Sequence, residues 1–88
     1  MTMYGANPEQ LGHLGRTLNG QIEAVRAVRS TVDGVLSGTT WHGPARDRFS
    51  QEWTDSFTVA LRRLEDAFEI AGRDCTTRAE ELQRIMGV

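Results

Sequence analysis

Apolar residues in the first half of the chain recur at alternating steps of three and four: Leu11, Leu14, Leu18, Val25, Val28, Val32 and Val35, with Gln21 in the one vacant slot and Ile22 beside it. That alternation is a heptad seam, the spacing that keeps one face of a helix against another. Asn7 can cap this helix, and Pro8 suits its first position, where the missing N–H has no partner to lose. Gln10 stands three residues after the cap, in a capping-box arrangement. The pattern predicts a helix from about Pro8 to Ser37, roughly 45 Å long. Gly12, Gly15, Gly20 and Gly34 fall inside it, each weakening an exposed helical position by about 1 kcal/mol relative to Ala. On this reading the helix needs a partner to exist.

The second half carries a more regular seam: Phe57, Leu61, Leu64, Phe68, Ala71, Cys75, Arg78, Leu82 and Ile85 follow a four-three alternation, altered in character only at Arg78. Phe49, Trp53 and Phe57 step by four and drift off that line, so the apolar face widens toward the middle of the chain. A single helix from about Pro44 to Met86, roughly 64 Å long, is predicted. It overhangs the first, and two hairpins together would bury seams that one leaves half wet. Arg48 with Glu52, Glu69 with Arg73 and Glu80 with Arg84 stand one turn apart on its polar face, adding a few tenths of a kcal/mol each.

Between the two segments lies Trp41-His42-Gly43. Gly38 is suited to the left-handed conformation that ends a helix, and Gly43-Pro44 to the start of the next. Trp41 is thus a large ring on a connection, and an indole left bare forfeits roughly 25 cal/mol per Å² of burial. It either plugs the open end of the hairpin or meets another surface, and the two roles are compatible.

With 88 residues the chain makes one small helical-hairpin domain, and a chain of this size buries only about 60% of its unfolded surface. Its net charge of -2, with the signs interspersed, argues against a nucleic-acid footprint. Cys75 is the single cysteine, which excludes an internal disulfide; at a seam position it behaves as a small apolar residue. Met1-Thr2-Met3-Tyr4-Gly5 has neither the basic nor the apolar region of a signal peptide, and no apolar run approaches a membrane span. No basic amphipathic face marks the chain for a membrane surface. His13, His42 and Cys75 lie on separate elements without metal-ligand spacing, so no metal or cofactor is expected. Ser, His and Asp stand in no nucleophile context, and no catalytic residue is assigned. Arg78 either snorkels out of the seam or meets an acidic partner.

The stretch Trp41-His42-Gly43-Pro44-Ala45-Arg46-Asp47-Arg48-Phe49 leading to Trp53, set between two heptad helices, resembles the WXG family of type VII (ESX) secretion substrates, the early secreted antigen family. The resemblance covers nearly the whole chain. It implies an all-α helix-turn-helix hairpin with Trp41 and Gly43 in its turn motif, dimerising into an antiparallel four-helix bundle. The dimer and core seam would be Leu11, Leu14, Leu18, Val25, Val28, Val32, Phe49, Trp53, Phe57, Leu61, Leu64, Phe68 and Leu82. The partner it implies is a second hairpin, a different chain in preference to a second copy, and a secretion ATPase would recognise the folded dimer. Localisation would be cytoplasmic before export and extracellular after it. The family's Tyr-x-x-x-Asp/Glu export element has no counterpart after Ile85-Met86-Gly87-Val88, and Tyr4 stands at the opposite end, so the chain reads as the signal-poor member of a heterodimer, with a homodimeric member carrying a degenerate signal as the alternative. The competing class is a helical adaptor for a neighbouring effector that is not itself exported.

Overall fold

Asn7 begins the first helix as its side chain dictates. In the computed structural model, which describes residues 6–87, Asn7 Oδ1 accepts the Gln10 N–H at 3.0 Å, satisfying a donor that a helix start otherwise leaves bare. Residues 1–5, Tyr4 among them, and Val88 lie outside the described residues. Helix α1 then runs Pro8–Gly38. Its end departs from expectation: Gly38 is the last helical residue, and among the described residues only Gly43 has a positive φ. Thr39 does the stopping. Its backbone is extended (φ -90°, ψ 127°), its N–H reaches the Leu36 carbonyl at 3.3 Å, and its hydroxyl donates to the Val35 carbonyl at 2.6 Å. Thr39 thereby satisfies two end carbonyls, one through its hydroxyl and one through its backbone N–H, that a left-handed glycine cap would have left to backbone donors alone.

The returning arm is helix α2 (Pro44–Glu52), a π-helical turn (Trp53–Phe57) and helix α3 (Thr58–Gly87). Pro44 takes the first position, as its lack of a donor favours. The predicted single helix is interrupted because its inward positions do not keep step. Ser50 and Trp53 point inward, as do Thr58, Leu61 and Glu65, and the interval from Trp53 to Thr58 is one residue longer than an α-turn accommodates. A π turn absorbs the extra residue and returns α3 to register. The drift of Phe49, Trp53 and Phe57 marks this event in the sequence.

Helices α1 and α3 pack antiparallel, making an extended all-helical hairpin with no strand among the described residues. It measures 64 × 20 × 16 Å with a radius of gyration of 19.4 Å, where a compact chain of this length would show about 12 Å. The accessible surface is 6710 Å², against about 5,200 Å² for a globular chain of the same mass. A hairpin of two long arms covers little of itself.

Three features join the arms. Near the open end Gly12, Gly15, Gly72 and Ala79 are buried and let the backbones approach, so Gly12 and Gly15 are not the exposed weak points that their helix propensities suggest. Gly20 and Gly34 do face open space. Midway, Glu65 uses both carboxylate oxygens, accepting Arg26 Nε at 3.0 Å and Arg29 Nη1 at 2.6 Å. The hydrogen bond that Arg26 donates to Glu65, seconded by the one it donates to Glu23, holds its guanidinium above its ordinary pKa. Toward the turn, buried Trp53 donates its indole N–H to Asp33 and meets the Phe57 ring edge-on at 6.3 Å. Of the surface ion pairs expected on the second arm, Glu69–Arg73 closes at 2.8 Å, whereas Arg48–Glu52 and Glu80–Arg84 do not. The wet side chains find water as good a partner.

Candidate functional site

Each long helix carries three lengthwise registers, and their angular order builds the site. Leu11, Leu18, Val25 and Val32 of α1, with Leu61, Phe68, Cys75 and Leu82 of α3, form a central register that is buried or half-buried. Four residues after each lies an inner register, rotated about 40° one way: Gly15, Ile22, Arg29 and Leu36, and Glu65, Gly72 and Ala79. These point at the opposite arm. Three residues after each central position lies an outer register, rotated about 60° the other way: Leu14, Gln21, Val28 and Val35, and Leu64, Ala71, Arg78 and Ile85. Phe57, at the end of the π turn, continues that line.

Because the arms are antiparallel, the sense of rotation is mirrored between them, and both outer registers emerge on the same face of the hairpin. Leu14, Val28, Val35, Phe57, Leu64 and Ile85 are all exposed there, Val35 to 65%. The opposite face carries Asn19, Arg26, Asp33, Arg62, Glu69 and Thr76, all polar. Contacts across the hairpin set the levels: Gly12 lies by Ala79, Gly15 by Thr76, Asn19 by Gly72 and Arg26 by Glu65, so each step forward on α1 is a step back on α3. Leu14 therefore shares a level with Arg78, Gln21 with Ala71 and Val28 with Leu64, while Val35 and Phe57 lie nearer the turn.

At the turn end the apolar face deepens. Thr31, Val32, Val35, Leu36, Thr39, Trp41 and Phe49 line an open, almost wholly apolar pocket of about 370 Å³. A second, shallower depression along Ala24, Ala27, Val28, Thr31 and Val32 shares two of its residues, making one continuous groove on α1. Trp41 forms a wall of this groove, tilted against Phe49 at 6.2 Å between ring centroids and 40% exposed. Gly43, beside it, holds φ 122° and ψ 178°, a region that only glycine enters without strain.

The residues assigned from sequence to the dimer and core seam thus divide. Val25 and Trp53 are buried, Leu11, Leu18, Val32, Leu61, Phe68 and Leu82 are half-buried between the arms, and Leu14, Val28, Phe49, Phe57 and Leu64 are exposed. The inner register escaped the sequence reading because Gly15, Glu65, Gly72 and Ala79 are not large and apolar. A signal existed in the small residues that follow Leu11, Phe68 and Cys75 by four. His13 and His42 are exposed, Cys75 is half-buried against Gly15, and Arg78 is exposed. Among the described residues no group of His, Cys, Asp or Glu is assembled to hold a metal ion, and no helix is long and apolar enough to cross a membrane.

No protein-family model, curated protein or solved structure matches the chain.

Proposed function

We propose that this chain is a WXG-type secretion substrate or co-secreted escort that works by protein–protein interaction, its uncovered face docking a second helical hairpin into an antiparallel four-helix bundle. The observation that carries the reading is the single-sided placement of the two outer registers. Val28, Val35, Phe57 and Leu64 are spaced as the inward positions of a bundle, yet stand in water. Exposed apolar residues gathered on one face of a hairpin whose opposite face is polar mark an interaction surface. A second hairpin matches such a stripe in length and in its repeat of three and four. The sequence around Trp41 and Gly43 supports the further step to type VII export, in which a secretion ATPase engages the folded dimer.

The test is the ratio of culture-filtrate to cell-lysate protein in a host carrying a type VII system, with and without its secretion ATPase. Export that depends on the ATPase supports the reading. Retention in both strains would make the chain an adaptor that works inside the cell.

A further inference from the structure

The uncovered face is graded along its length, and the gradient bears on what covers it. In its outer registers the turn end is apolar, with Val28 and Leu64 on one level and Val35 and Phe57 nearer the turn. Its open end carries Arg78, the one ionised residue of the outer registers, on the level of Leu14. Asp74 and Glu81 stand one turn to either side of Arg78 on α3, but neither closes an ion pair with it, and among the described residues no other carboxylate does.

From this we infer that Arg78 is a specificity-determining residue of the docking face: it disfavours a second copy of this chain and selects a different hairpin that carries a carboxylate at the facing level. The inference rests on the docking reading above. In antiparallel alignment a second copy brings its turn end over the open end of the first. Arg78 then lands among Val28, Val35, Phe57 and Leu64, where the flanking Ala24, Thr31, Ala60 and Ala67 supply no carboxylate. Twofold symmetry repeats the mismatch at the other end of the bundle. Seating the guanidinium against an apolar surface is unfavourable when the surface opposite offers it no acceptor and leaves only its own Asp74 and Glu81 at the rim, whereas a partner carboxylate at that level would pair with it directly. The device is one of rejection as much as of attraction.

Sedimentation of the full chain tests this without the natural partner. Wild-type protein is expected to self-associate weakly, and Arg78→Leu to tighten self-association by about tenfold or more. Arg62→Leu, a control on the polar face, should leave it unchanged, and adding Leu64→Asp to Arg78→Leu should abolish the gain. A tight wild-type dimer that Arg78→Leu does not strengthen would overturn the inference; if Leu64→Asp breaks that dimer, the docking reading survives alone. Equal tightening by Arg62→Leu would also overturn it, since added apolar surface would then be the cause. No tightening by Arg78→Leu would show that the cation is not what limits self-pairing, and the export ratio would then judge the docking reading separately.

Discussion

Gly15 and Gly72 pack backbone to backbone where α1 passes α3: a Cβ on Gly15 would lie 2.9 Å from the Gly72 carbonyl oxygen, and one on Gly72 would lie 3.2 Å from the Gly15 carbonyl oxygen. Two residues that are poor helix formers in isolation are what allow these helices to meet. The cost in propensity, about 1 kcal/mol each, is offset by burial that a larger residue would prevent.

Glycines in this chain should therefore respond to alanine with opposite signs. Gly15→Ala meets Thr76 Oγ1 and the Gly72 carbonyl oxygen below 3.0 Å and should destabilise by about 1 to 3 kcal/mol despite better helix propensity. Gly20→Ala and Gly34→Ala meet nothing within 4 Å and should gain up to about 1 kcal/mol. Urea unfolding of the three variants checks this; a stabilised Gly15→Ala would mean that the arms are not in contact there.

Glu65 answers two arginines from the inner register. Glu65→Ala leaves the mostly covered Arg29 without its carboxylate and should cost about 1 to 3 kcal/mol. Replacing both partners, Glu65→Leu with Arg29→Leu, removes the unpaired charge and should recover most of the loss. Thermal melts of the single and double variants form the cycle, and additive losses would show that the pair is not coupled.

Leu64 and Phe68 separate docking from folding. Leu64 is exposed on the outer register, so Leu64→Asp should preserve the helicity of the hairpin and, on the proposed function, abolish its association with a second hairpin. Phe68 lies between the arms, and Phe68→Asp should cost several kcal/mol and unfold the hairpin. Circular dichroism and light scattering distinguish the two outcomes. If Leu64→Asp melts the hairpin as Phe68→Asp does, the outer register is part of the core.

Gly43 and Trp41 separate backbone from surface at the turn. A Cβ on Gly43 meets nothing within 4 Å, so Gly43→Val should cost about 1 to 3 kcal/mol purely through its φ of 122°. Trp41→Ala removes a partly exposed ring and should cost about 1 to 2 kcal/mol, less than the 3 to 5 typical of a buried one. On the proposed function, Trp41→Ala should also lower the export ratio beyond that of variants matched in melting temperature. An unchanged ratio would leave Trp41 as a wall of the groove and nothing more.

Local chemistry made much of this fold legible in one dimension. Asn7 and Pro8 set the start of α1, Pro44 that of α2, and the three-four spacing of leucines and valines specified two long helices, because caps and helical periodicity depend on residues within a turn of one another. The spacing could not say which flank of each seam meets the other arm. That choice belonged to the tertiary structure, and it went to the inner register, where Gly15 and Gly72 permit close approach and Glu65 finds Arg26 and Arg29. At the level where the arms come closest, the outer register offers Leu14 and Arg78 in place of Gly15, and these would hold the helices further apart. Helix α1 likewise ends through Thr39 rather than a left-handed Gly38, and the π turn at Trp53 reflects a one-residue excess that shows only when burial is counted across both arms. Periodicity along one chain names the apolar positions; the distance at which two backbones can approach decides which of them are covered and which remain as a face.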